Sequence, residues 1–150
     1  MAAASQTRTD AGLATELRIS VSRLARRLRA ERVARGVATD LSDTQLAALA
    51  ALERHTAMTP GELAEHEKVQ PPSMTRVIAA LQERGLVTRA PHPTDGRQVK
   101  LTVTDQGREL VQQSRRLREA WLAQRLRELS PEERAALRAA APILQRLSQS

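Results

Sequence analysis

The chain has 150 residues, 41% of them apolar, with no cysteine, no Phe or Tyr, a single Trp and a formal net charge of +7. That length suits one compact domain with helical extensions, and the missing cysteines exclude a disulfide framework, a thiol redox switch and Cys-ligated zinc. The apolar residues are too many and too periodic for a disordered chain, MAAASQTRTD (1–10) has no apolar signal region, and LAALAAL (46–52) is too short to span a bilayer. A soluble cytoplasmic protein is expected, with a core of Leu, Val, Ile, Met and Ala, a composition that favours helices.

The first ten residues read as a frayed tail. From there Leu13, Leu17, Val21, Leu24 and Leu28 recur at steps of four, four, three and four, one stripe of an amphipathic helix. Gly36 ends it, after Arg32 and Arg35 in a last turn where cations suit the helix dipole. LSDTQLAALAALERH (41–55) starts a second helix, with Ser42 as N-cap and Gln45 closing a capping box. TPGELAEHEK (59–68) starts a third, shorter helix, capped by Thr59, with Pro60 at its first position and Glu62 in the box. VQPPSMTRVIAALQERG (69–85) is a fourth, with Gln70 as N-cap, Pro71 and Pro72 in the first turn and Gly85 just past the end.

LVTRA (86–90) and VKLTVT (99–104) flank the turn PHPTDGRQ (91–98); Val99, Leu101 and Val103 alternate with Lys100 and Thr102, the pattern of a half-buried strand. Thr104 and Asp105 open a long helix, roughly 104–128. The last helix, LSPEERAALRAAAPILQRL (129–147), has Ser130 as cap, Pro131 at its first position, Glu133 in the box and a kink expected at Pro142. The fold expected is mainly α with a small β-hairpin: a helix-turn-helix followed by a wing, with long helices on either side.

Charge is distributed unevenly along this order: +5 over residues 1–35, −5 over 36–67, +4 over 68–100 and +3 over 101–150. A basic block beside an acidic one points to one face for a polyanion and another without that duty. The +4 block holds the fourth helix and the hairpin. At 100° per residue, Met74, Val77, Ile78 and Leu81 share one side of that helix, while Pro72, Arg76, Ala79 and Glu83 lie opposite, flanked by Ser73 and Thr75. Small outer residues let a helix sink into a major groove about 12 Å wide, and arginine is the commonest reader of guanine. The helix start also suits a phosphate.

The candidate DNA contacts are Gln70, Pro71, Pro72, Ser73, Thr75 and Arg76 on the fourth helix, and Arg89, Asp95, Arg97 and Lys100 on the hairpin. Arg76 contacts a base or a phosphate. Arg97 at the loop tip is placed for a minor groove, with Asp95 accepting from it and shaping the turn. Arg89 and Lys100 are phosphate-side cations. Ser73, Thr75 and Gln70 are open between DNA contact and local capping.

TPGELAEHEKVQPPSMTRVIAALQERGLVTRAPHPTDGRQVKLTVTDQGREL (59–110) resembles the winged helix-turn-helix of MarR-type transcriptional regulators, and the flanking helices extend the likeness from about Leu13 to the end. The family's wing often reads Asp-x-Arg-Arg or Asp-x-Asp-x-Arg. Here Gly96 follows Asp95, which removes one possible cation and makes the tip more flexible. The resemblance implies a homodimer interlocked through the first and last two helices. It also implies a repressor, released from DNA by a small amphiphilic or aromatic effector held between the winged core and those helices. A pseudo-palindromic operator with half-sites about one helical turn apart follows from the two-fold symmetry. The apolar stripe from Leu13 to Leu28, with Leu110, Leu117, Trp121, Leu122, Leu126, Leu137, Ile143, Leu144 and Leu147, independently exceeds what one winged core can cover. This divides the chain into a tail and dimerisation helix (1–38), a winged DNA-binding core (39–104) and C-terminal dimerisation helices (105–150).

Plainer readings are set beside these. The arginines of the first helix (Arg23, Arg26, Arg27, Arg29) fit the solvated face of a dimerisation helix, and Trp121 fits a core or dimer interface rather than effector stacking. His55, His66 and His92 lack metal-ligand spacing, and no grouping of nucleophile, base and carboxylate suits an enzyme. No metal and no cofactor are expected. The alternative function is a winged-helix protein–protein module without DNA binding, which the basic block at 68–100 argues against.

Overall fold

The computed structural model describes residues 9–150. Among them the elements run α1 (Asp10–Ala34), α2 (Asp43–His55), α3 (Pro60–His66), α4 (Pro71–Glu83), β1 (Val87–Pro91), β2 (Val99–Val103), α5 (Asp105–Arg127) and α6 (Pro131–Ser148). The frayed tail expected over residues 1–10 falls mostly on 1–8, outside the described residues; Asp10 already opens α1.

Local chemistry sets the helix ends. Ser42, Thr59 and Ser130 accept the N–H three residues on, and Gln45, Glu62 and Glu133 reach back to the cap N–H, so three capping boxes are complete. Gly36 (φ +71°) and Gly85 (φ +69°) stand just past α1 and α4 in the left-handed region. Behind each glycine the chain reverses in the same way. The glycine N–H bonds back to Val33 or Gln82, and the next N–H to Arg32 or Leu81, which satisfies the last carbonyls of the helix. In α6 the helix continues through Pro142 to Ser148.

The chain forms two compact units. One comprises the chain up to Glu31 and Leu117–Ser150; the other is Arg32–Arg116. The second has the buried core: Leu46, Leu49 and Leu52 of α2, Leu63 of α3, Met74, Ile78 and Leu81 of α4, Val87, Leu101 and Val103 of the hairpin, and Val111 of α5. Each fully buried aliphatic side chain of this kind contributes roughly 1.5–3 kcal/mol. The hairpin pairs antiparallel, Val87 opposite Val103 through Pro91 opposite Val99. Met58, in the link between α2 and α3, adds a third rung: its N–H reaches Leu101 O at 3.1 Å and its carbonyl accepts from Leu101 N at 2.7 Å.

The start of α5 is fitted closely to the hairpin. Thr104 Oγ1 donates to Gly85 O at 2.7 Å and accepts from Gly107 N at 3.1 Å, while Thr104 N donates to Leu86 O at 3.0 Å. A Cβ on Gly107 would stand 2.4 Å from Leu86 O and 2.8 Å from Val103 Cγ2, so backbone approaches backbone there without room for a side chain.

Arg32 stands in the last turn of α1, as expected, and its side chain is also buried, 2% exposed. The turn at Gly36 folds Val37 and Ala38 back over the helix end, and Nη1 of Arg32 donates to Val37 O at 3.3 Å and to Ala38 O. Nη2 lies 3.6 Å from Asp43 Oδ1.

The other unit is built differently. Trp121 lies between two guanidinium groups, Arg27 at 5.6 Å and Arg125 at 5.7 Å from the ring centroid. Helix α6 buries none of its residues, and Leu137, Ile143, Leu144 and Leu147 are 38–60% exposed, as are Leu13, Val21 and Leu24 of α1 at 44–49%.

Candidate nucleic-acid interface

Helix α4 turns Met74, Ile78 and Leu81 into the core, each 0–1% exposed, with Val77 half-buried beside them. That fixes the opposite face outward, so Gln70, Pro71, Pro72, Ser73, Thr75 and Arg76 are all exposed. Gln70 takes cap geometry (φ −60°, ψ 138°) but its side chain makes no cap bond. Pro71 and Pro72 have no N–H to donate, and the N–H of Ser73 is not taken by the Gln side chain, one methylene longer than the Asn that commonly caps helices. The same prolines leave Ser73 as the first N–H of the helix, so backbone capture of a phosphate is weaker here than at an ordinary helix start. Thr75 Oγ1 donates back to Pro71 O at 3.0 Å, which ties its hydroxyl proton but leaves its lone pairs available. Arg76 has no hydrogen bond or ion pair among the described residues.

Five of the loop N–H groups of the wing find acceptors within the loop. Thr94 N and Asp95 N donate to Nδ1 of His92 at 3.2 and 3.1 Å. Arg97 N donates to Asp95 Oδ1 at 3.1 Å, and Gln98 N to Asp95 O at 3.1 Å. His92 N closes the loop on Gln98 O at 3.1 Å. The looseness expected from Gly96 is thus offset by the side chains of His92 and Asp95 ahead of it, and Gly96 itself needs no left-handed conformation. The guanidinium of Arg97 is exposed and has no intramolecular partner among the described residues, while the backbone beneath it is held.

The two strand cations are partly engaged. Arg89 Nε donates to Gln82 Oε1 at 2.9 Å, tying β1 to the far half of α4. Lys100 lies 3.8 Å from Glu62 Oε2, itself the residue that closes the α3 capping box. The Thr59 N–H it accepts holds the Glu62 carboxyl below the usual carboxylate range, with the positive charge of Lys100 acting in the same direction. The Arg84 guanidinium likewise holds Asp40 below that range. Both carboxyls thus stay charged down to more acidic pH, and their contribution is lost only as pH falls past the lowered values.

The candidate residues fall into two groups on one compact unit, the exposed start of α4 and the wing. Sequence reading missed His92, whose spacing offered no metal and whose role is internal to the loop. It also missed Lys68, which is exposed at φ +54° in the turn between α3 and α4, beside Gln70. Its place in the +4 block was the available signal. No group of three or more His, Asp or Glu among the described residues is arranged to hold a metal ion, and none of the helices described is long and apolar enough to cross a membrane.

The profile of the MarR family matches residues 41–99, from the end of the link after α1 to the first residue of β2. The HTH-type transcriptional regulator Mb0904 of Mycobacterium bovis is 51% identical over 136 residues, 91% of this chain and 92% of that protein. The HTH-type transcriptional repressor MdtR of Bacillus subtilis is 27% identical over 138 residues, 92% of this chain and 87% of its own length. Among solved structures, that of Rv1404 from Mycobacterium tuberculosis superposes with a TM-score of 0.79 at 27% identity, covering 93% of this chain and 94% of that one.

Proposed function

Because the chain belongs to the MarR family and is a DNA-binding transcriptional regulator, we propose that it acts as a homodimeric repressor of a pseudo-palindromic operator. In this reading residues 39–104 read DNA, while 1–38 and 105–150 pair two copies. The observation that carries it is the exposed start of α4, small and polar around an Arg76 without a partner among the described residues, on the same unit as a wing whose Arg97 guanidinium likewise has none among them. Gln70, Ser73, Thr75 and Arg76 enter the major groove, with Pro71 and Pro72 packing against its wall. Arg97, set by Asp95, enters the flanking minor groove, and Arg89 and Lys100 face phosphates. Eight large apolar side chains exposed on α1 and α6 support the pairing of two copies. The repressor name of MdtR supports the sign of regulation. A small amphiphilic or aromatic effector releases the operator.

A mobility-shift experiment on genomic fragments at two salt concentrations tests this. Expected are sequence-selective complexes whose affinity falls steeply with salt, and a species of twice the chain mass in sedimentation. No DNA affinity at any salt overturns the reading. Arg76→Ala is expected to weaken specific binding by roughly 1–3 kcal/mol and to relax selectivity at one base position. Unchanged selectivity would mean that another face of α4 does the reading. Arg97→Ala is expected to weaken sites with A·T-rich flanks most, because their narrow minor groove attracts arginine. An equal loss on every flank reduces Arg97 to a phosphate contact.

A further inference from the structure

We propose that His92 is a positioning residue of the wing: its neutral imidazole holds the tip in shape, and gain of a proton opens the tip and weakens the hold on DNA. This rests on the reading of the wing as a DNA contact. Nδ1 of His92 accepts from Thr94 N at 3.2 Å and from Asp95 N at 3.1 Å, with Thr94 Oγ1 at 3.3 Å as a third neighbour. Two backbone donors on one ring nitrogen require that nitrogen to be unprotonated, so the ring carries its single proton on Nε2. The imidazole does here what an aspartate or asparagine does in an Asx turn.

A proton arriving at Nδ1 turns the acceptor into a donor that faces two other donors. Thr94 Oγ1 can take the new N–H, but Thr94 N and Asp95 N lose their acceptor. Asp95 is then no longer held at its own N–H, and its carboxylate is what fixes Arg97 N at 3.1 Å. The disturbance therefore passes along the chain from His92 through Asp95 to the arginine at the tip.

The surrounding charges do not decide the matter against the proton. Asp95 on the loop and Glu62 on α3 favour a charged ring, whereas Lys100 on β2 and Arg97 on the loop oppose it. Glu62 stays ionised across the range in which imidazoles gain a proton, so it adds no pH dependence of its own there. A phosphate beside the ring would reverse the sign, drawing the charged imidazole to DNA and tightening binding in acid. Geometry and simple charge attraction thus make opposite forecasts.

The test uses a duplex selected from random-sequence DNA by the wild-type protein at pH 8, with affinity measured at pH 8 and pH 5.5 at one ionic strength. The wild type is expected to bind roughly tenfold more weakly at the lower pH, within the range of one lost groove contact. His92→Asn keeps an acceptor at the same reach that does not titrate, and is expected to bind tightly at both values. His92→Ala is expected to be weak at both. A loss in His92→Asn equal to that of the wild type overturns the proposal, as does tighter wild-type binding in acid. If Arg97→Ala binds like the wild type at pH 8, the wing reading has failed instead. The free protein then decides the role of His92. Exchange protection of the Thr94 and Asp95 amides, corrected for intrinsic pH dependence, is expected to fall at pH 5.5 in the wild type and not in His92→Asn; equal protection in both overturns it.

Discussion

Gly107→Ala is expected to destabilise the winged unit by roughly 2–3 kcal/mol, which for a chain of this size lowers the melting temperature by about 4–12 °C. In most exposed helices the same exchange is stabilising, because alanine is the better helix former by up to about 1 kcal/mol. The sign reverses here because the new methyl carbon meets Leu86 O at 2.4 Å, and that atom is backbone. No rotamer change relieves the contact. Either α5 moves away from the hairpin or the Gly85–Leu86 segment yields, and the second course strains Thr104, bonded to both residues at 2.7 and 3.0 Å. A calorimetric scan is the check. A melting temperature equal to or above that of the parent would show that the approach is looser than the structure has it.

The second large effect concerns Arg32. Arg32→Ala is expected to cost roughly 2–4 kcal/mol in urea titration, since hydrogen bonds from a charged group are worth about 1.5–3 kcal/mol and a cavity is added. Val37 and Ala38 are 5% exposed, so their carbonyls lose a donor in a place water reaches poorly. Asp43→Ala serves as the contrast. The Asp43 side chain is 64% exposed and 3.6 Å from the guanidinium, so its loss is expected to cost under about 1 kcal/mol. Arg32→Lys should recover only part of the loss, because an ammonium lacks the planar fork. Equal stabilities for Arg32→Ala and Asp43→Ala would show that the carbonyls, not the ion pair, have been misjudged.

What the sequence revealed in advance is chemistry that acts over a few residues. Ser42 with Gln45, Thr59 with Glu62 and Ser130 with Glu133 satisfy one another within a single turn, so the pattern and the structure coincide. Gly36 and Gly85 were legible for the same reason, each being needed by the backbone of its own helix end. The inward side of α4 followed from its period, and with it the exposure of Gln70 to Arg76. Gly107 was not legible. Within DQGREL it reads as an indifferent helix position, because the atom that forbids a side chain belongs to Leu86, twenty-one residues earlier. Arg32, Met58 and His92 share that history. Each has a local reading that suffices, as dipole cation, linker or stray histidine, and each acquires its role from a chain reversal that periodicity does not report.

The bond pair between Met58 and Leu101 has a bearing on the sites such a monomer tolerates. It fastens β2 to the link between α2 and α3, while Arg89 and Gln82 fasten β1 to α4. The hairpin and α4 are thereby braced from two sides, and the loop extends from a fixed base. On the proposed reading of α4 and the wing tip as groove contacts, the monomer is a gauge of constant length: the step along the duplex between the two grooves is set in the protein. One base pair inserted inside a half-site therefore puts one of the two contacts out of register, and the winged unit has no slack with which to follow it. On the same reading, variation in operator spacing has to lie between half-sites, where the two proposed copies meet.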